Sequence, residues 1–192
     1  MPRRILWVII IAAFVGCPTA SVFAQGEVPY QKEKQTVLGK YLIAAEAYDM
    51  WRTNPEVVKI VDCRTPAEYV FVGHAPMALN VPSRLAEWDP VQKKLIYNEN
   101  PEFEKIIKEK FRLTDTILIM CRSGDRSAAS ANRLAVIGYK NVYTVTDGFE
   151  GDKVKDKHSY YQGKRMRNGW KNCGAPWTYD LDPELVYSKT NN

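Results

Sequence analysis

TILIMCRSGDRSAASANRLAVIGY, residues 116–139, passes from one kind of order to another across a single short loop. TILIM (116–120) is a continuous apolar run, as a parallel strand covered on both faces should be. From about Ser127 the small and apolar residues of SAASANRLAVIGY read as a helix, closed by Gly138. Cys121 stands where the strand stops, so the segment is a strand–loop–helix unit with a cysteine at its turn.

The flanking sequence repeats this alternation. YLIAAEAYDMW reads as a helix with Tyr41, Ala44, Ala45, Tyr48 and Trp51 on one face, stopped by Asn54-Pro55. VVKIVD (57–62) is a β-branched run of strand length. PAEYVFVG reads as a short helix with Pro66 in its first turn, and ALNVP as a brief strand. Residues 83–100, with Trp88 and Tyr97, read as a long mixed connection. Asn100-Pro101 then opens a helix lined on one side by Phe103, Ile106, Ile107 and Phe111, and VYTVT supplies a further strand. Strands alternating with helices at this spacing predict a three-layer α/β fold, a central parallel sheet flanked by helices, whose ligand sites gather at the carboxyl ends of strands. Cys121 occupies such a place.

The termini and composition narrow the setting. Residues 1–24 have a basic start, an apolar stretch from Ile5 to about Val15, and small residues ending at Ala24. That is a signal-peptide pattern, with cleavage expected after about Ala24 and a periplasmic or secreted mature protein without a membrane span. Lipidation of Cys17 in FVGC is the alternative. Residues 25–35 read as a flexible leader, 36–180 as the domain, and 181–192 as a C-terminal tail. The formal charge of +5 includes Arg3 and Arg4; the +3 left without them is too small to argue for nucleic acid. Of four cysteines, Cys17 lies in the signal, leaving the odd set Cys63, Cys121 and Cys173. There is no C-x-x-C, and only two histidines, His74 and His158, neither at ligand spacing to the cysteines, so no metal site is expected.

The loop itself carries the chemistry. Gly124 permits a tight path in which successive N–H groups form an anion-binding nest, the following helix presents its positive end, and Arg122 and Arg126 add cations. All these favour a thiolate at Cys121, which makes a nucleophile.

CRSGDRS (121–127) resembles the active-site loop of the rhodanese-type sulfurtransferases. DCRTPAEYVFVGHAPMALNVP (62–82) resembles the same family's upstream signature, here Asp62, Arg64, Glu68, Tyr69, Gly73, His74, Ala78, Asn80 and Pro82. The resemblance covers roughly 36–151, with DGFEG (147–151) and GWKNCGAPW (169–177) similar to the two halves of the family's ending and a basic insertion at about 152–168 between them. It implies sulfane sulfur transfer through a Cys121 persulfide, from thiosulfate or a related donor to cyanide, a thiol or a protein partner, without a cofactor. Arg122, Ser123, Gly124, Asp125, Arg126 and Ser127 would then cradle the persulfide, with Arg122 and Arg126 attracting the donor. Asp62 and Arg64 would fix the neighbouring loop, Glu68 joining them, and His74 would hold a turn. Cys63 replaces a more usual apolar residue, and either resolves the persulfide, pairs with Cys173 or is merely buried. The insertion forms either a basic lip over the site or a solvated loop. The rival readings are a dedicated sulfur carrier, a non-catalytic interaction module, and a phosphatase or arsenate reductase, whose loop has Cys-x5-Arg where this chain places Ser127.

Overall fold

The computed structural model describes residues 26–188; the expected signal, its cleavage point and Cys17 lie outside them. In chain order the elements are β1 (Tyr41–Leu42), α1 (Ala44–Thr53), β2 (Val58–Asp62), α2 (Pro66–Val72), β3 (Leu79–Asn80), β4 (Arg84–Asp89), β5 (Lys94–Glu99), α3 (Phe103–Lys110), β6 (Thr116–Met120), α4 (Asp125–Val136), β7 (Val142–Val145), β8 (Asp152–Lys153) and β9 (Arg165–Arg167). Five strands form a wholly parallel sheet in the order β1-β7-β6-β2-β3. The predicted three-layer α/β architecture is therefore present.

Alternation along β6 divides the core. Leu118 and Met120 face a cluster that includes Ala47 and Met50 of α1, Val145, Phe149 and Trp170. Ile117, Ile119 and Cys121 face the opposite cluster, with Phe103 and Ile107 of α3 and Ala131 and Leu134 of α4. Because both faces are covered, the central strand had to be apolar throughout, which is what made it legible.

Three segments differ from expectation. The first helix starts at Ala44 and buries Ala44, Ala47 and Met50, while Tyr41 and Leu42 form the edge strand β1. The helix is started by Glu46, whose carboxylate accepts from the Ile43 N–H at 2.9 Å, and by Asp147, which accepts from the Ala44 N–H at 2.8 Å. The expected leader is attached where it is described: the Gly26 N–H donates to the Tyr41 carbonyl at 2.8 Å, Lys34 Nζ to the Thr146 carbonyl at 2.9 Å, and a 3-10 turn over Lys32–Lys34 lies against α4. Isolated bonds of this kind leave no periodic trace in a sequence. The long connection before α3 is an antiparallel hairpin, β4 with β5, turned by the Asp89 carboxylate accepting from the N–H groups of Val91 and Gln92.

The carboxyl end of β2 is organised by one buried ion pair. Arg64 Nη2 lies 2.6 Å from Asp62 Oδ2, and its Nε is 3.0 Å from both carboxylate oxygens. Both side chains are fully buried. The same Nη2 donates to the Gly73 carbonyl, the guanidinium lies 4.1 Å over the Phe149 ring, and Asn80 Nδ2 donates to the carbonyls of Asp62 and Arg64. The pair thus ties β2, the end of α2, β3 and the segment after β7 together.

Removing one partner of such a pair strands the other charge in the core, at about 3–5 kcal/mol. Arg64→Met is expected to lower the unfolding free energy in urea by roughly that amount, and the double variant Asp62→Leu/Arg64→Met to recover most of it. An unchanged midpoint in the single variant would contradict this role.

Candidate functional site

The loop after β6 has to carry the chain from a buried strand into a helix while turning its amides toward one point. Gly124 makes the turn at φ +106°, where an added Cβ would lie 2.2 Å from the Thr146 carbonyl oxygen. The carbonyls are drawn backward: Cys121 O accepts from the Phe149 N–H at 2.8 Å, Arg122 O from the Glu150 N–H at 3.0 Å, and Gly124 O from the Ala128 N–H and Ser127 Oγ. With the carbonyls occupied behind, the N–H groups face forward. Gly124 N–H donates to Cys121 Sγ at 3.2 Å, and the N–H groups of Ser123 and Ser127 also point at the sulfur.

The closing segment supplies the rear support. Gly148 sits so close beneath the loop that a Cβ would meet Cys121 O at 2.5 Å. It is held by its far partner: Trp170 N–H donates to Gly148 O at 2.9 Å, and the Asp147 carboxylate accepts from the Gly169 N–H at 2.7 Å. The two halves of the ending, separated in sequence by β8 and β9, therefore meet under the cysteine. Trp170 is fully buried, and its Nε1–H donates to the Pro176 carbonyl at 2.8 Å.

Cys121 is at the base of a cavity of about 230 Å³ lined by Glu68, Arg84, Tyr97, Cys121, Arg122, Ser123, Asp125 and Arg126. Burial alone would push the thiol up. It is outweighed by a hydrogen bond from the Cys63 thiol, the charge of Arg126 and the N–H groups of Ser127 and Ser123, so Cys121 is held well below the ordinary thiol range. The thiolate expected from the loop is the form the geometry favours.

Arg126 lines the cavity and is also held by a carboxylate. Its guanidinium makes a forked pair with Glu68, Nη1 to Oε2 at 2.7 Å and Nη2 to Oε1 at 2.6 Å. Glu68 accordingly does not join Asp62 and Arg64. It bonds Arg126 and, through Oε2, the Thr65 N–H and hydroxyl that cap α2. Burial opposes the carboxylate, but Arg126 and Thr65 bring Glu68 down to about 2. Because this folded value is depressed, the pair's stabilisation is complete above the ordinary carboxylate range and is lost only as pH falls toward about 2. Arg122 is exposed and makes no ion pair among the described residues, so it is the cation available to a small anion.

The remaining expectations sort by place. His74 is buried and stacked on Tyr69, its ring nitrogens 3.1 Å from Tyr69 O and 3.2 Å from Asp180 O, so it holds a turn. The basic insertion is an exposed arm on β8 and β9, and none of its residues lines the cavity. Cys63 and Cys173 are not paired: Cys63 is buried beside Cys121, whereas Cys173 is exposed and its thiol donates to Trp170 O at 3.4 Å. Arg84 and Tyr97 line the cavity instead, and sequence reading missed them. They stand on hairpin strands that are exposed along most of their length, where no hydrophobic alternation announces a strand.

Comparison with known proteins agrees with this geometry. Residues 44–155 match the profile of the rhodanese-like domain. The chain is 34% identical over 145 residues to the protein RP600 of Rickettsia prowazekii (strain Madrid E), covering 74% of this chain and all of that one. It is 28% identical over 124 residues to the adenylyltransferase and sulfurtransferase UBA4 of Candida albicans, covering 64% of this chain and 26% of that protein. The crystal structure of Rv0390 from M. tuberculosis superposes with a TM-score of 0.58 at 27% identity, over 73% of this chain and 97% of that one.

Alkylation of Cys121 by iodoacetamide, followed by peptide mass, should reach its plateau rate at a pH well below the midpoint of about 8.5 seen for a free thiol. Arg126→Met should move that midpoint upward. A wild-type midpoint at the free-thiol value would refute the thiolate.

Proposed function

The chain belongs to the rhodanese-like family, and on that premise we propose that it is a sulfurtransferase working through a persulfide on Cys121. The Cys121 thiolate attacks the outer sulfur of thiosulfate or a related anionic donor. A new sulfur–sulfur bond forms as the donor's own breaks, sulfite departs with the electron pair, and the outer sulfur remains as Cys121–S–S⁻. A thiophilic acceptor, cyanide or a thiol, then takes that sulfur and returns the thiolate.

The observation that carries this reading is the set of amides aimed at one sulfur at the base of an open cavity. Donors fixed in advance toward a developing anion need no reorganisation as the charge moves outward onto the second sulfur. Arg122 at the rim attracts the dianion, while Arg126, bound by Glu68, supports the thiolate from the side. The same pairing disfavours phosphatase or arsenate chemistry: a phosphate-gripping arginine has to turn its fork toward the oxyanion, and here the fork is occupied by Glu68.

One feature favours a protein as the physiological acceptor. Tyr97 and Arg84 lie at the cavity, and period-two alternation puts Leu95 and Trp88 on the same face of the hairpin, where both are exposed. A partner presenting a thiol to Cys121 would have an apolar surface to rest on. The Candida albicans relative is an adenylyltransferase and sulfurtransferase, which supports sulfur transfer as the class of reaction.

Incubation with thiosulfate should raise the intact mass by one sulfur atom, cyanide should remove it, and Cys121→Ser should gain none. An unmodified wild type across several sulfane donors would defeat the reading. Arg122→Gln should raise KM for thiosulfate about fivefold at low salt, corresponding to about 1 kcal/mol for an exposed charge, and the difference should shrink as salt is added.

A further inference from the structure

Sulfur transfer from Cys121 forms no bond to a second thiol, yet one is built against it. Cys63 and Cys121 each follow a paired residue of neighbouring parallel strands, Asp62 opposite Met120, and the Cys63 N–H donates to the Met120 carbonyl at 2.8 Å. Both side chains enter the cluster formed by Val61, Ile117 and Ile119, and the neighbouring Cys63 thiol is one of the influences that favour the Cys121 thiolate. Neighbouring strands lie about 4.7–4.9 Å apart, inside the Cα separation of roughly 4.4–6.8 Å that a disulfide spans.

The two thiols differ in access. Cys121 is buried to 1% exposure but lines the 230 Å³ cavity, whereas Cys63 is 0% exposed and absent from its lining. Burial pushes the Cys63 thiol up, so it stays protonated while its neighbour is ionised. An oxidant arriving through the cavity therefore meets Cys121 first, and meets it as the thiolate. Cys173, exposed just after the 3-10 turn Trp170–Asn172, lies outside the cluster that holds both.

We propose that Cys63 is a resolving thiol that closes a reversible disulfide with Cys121 after a hydroperoxide has oxidised Cys121. In the first step the Cys121 thiolate attacks the peroxide's distal oxygen, the O–O bond breaks, and Cys121–S–OH forms with release of hydroxide or alkoxide. In the second, the Cys63 sulfur attacks Cys121 Sγ, the S–O bond breaks, and the departing hydroxide leaves as water with the Cys63 proton. Two thiol sulfurs are each oxidised by one electron and the peroxide is reduced by two. The disulfide halts oxidation before the irreversible sulfinic stage. An external dithiol, entering through the cavity and attacking Cys121, reopens it. The inference rests on the Cys121 thiolate and not on any sulfur donor.

The test uses the full wild-type chain. It is treated with hydrogen peroxide in slight excess, blocked with iodoacetamide, digested with trypsin without reduction, and weighed. The expected product joins peptides 60–64 and 113–122, lacks two hydrogens relative to their sum, and separates with dithiothreitol. In Cys63→Ala the Cys121 peptide should instead carry two or three added oxygens. A wild-type protein in which Cys121 gains those oxygens while Cys63 is alkylated, in which Cys121 is joined to Cys173, or in which Cys121 is unreacted would overturn the inference, whatever the variant does. Cross-linking in a chain that takes no sulfur from thiosulfate would sink the sulfurtransferase reading alone; sulfur loading without cross-linking would sink this one alone.

Discussion

The site depends on where a few carbonyl groups point. A loop that must leave a buried strand and enter a helix has as many acceptors as donors, and an anion is stabilised only if the acceptors are turned away. Here the N–H groups of Phe149 and Glu150 hold the carbonyls of Cys121 and Arg122 from behind, at 2.8 and 3.0 Å. The space under the loop admits this support only because Gly148 has no side chain. The low pKa of Cys121 depends on the segment after β7, and not just on its own loop.

Charge around the cysteine is divided between support and recruitment. Arg126 faces Glu68 in a forked pair and lends its field to the sulfur at close range, where the low-dielectric surroundings preserve it. Arg122 is exposed at the mouth, where its attraction is screened by salt but reaches an approaching anion. Two arginines four residues apart in one loop thus do different work, and the difference comes from a glutamate on α2. Farther down, Asp62 and Arg64 keep the same end of the sheet together from inside, so strand ends, helix cap and loop are positioned as one body.

What could be read directly was whatever repeats or whatever is locally encoded. β6 was legible because both of its faces are buried; α3 because Phe103 and Ile107 recur on one side; α2 because Pro66 suits a helix's first turn. The hairpin at 84–99 was opaque because both strands are largely exposed and their apolar residues serve the cavity and the outer surface. β1 is two residues long and was absorbed into the helix beside it, since its strand character comes from β7 as a partner. The leader's attachment through Gly26 and Lys34 is made of single long-range bonds, which have no period.

By itself, then, the sequence determined a parallel α/β sheet with a cysteine at the carboxyl end of a central strand, in a loop whose glycine and arginines suit an anion. Those properties follow from burial on both faces, from backbone freedom at Gly124, and from charges a few residues apart. Only the tertiary structure decided that Arg126 answers to Glu68, that Arg84 and Tyr97 wall the cavity, that the insertion stays outside it, and that Cys63 lies against Cys121. Arg126 with Glu68 and Cys121 with Cys63 are pairs 58 residues apart, brought together by strand order and register, and strand register is written in no single stretch of the chain.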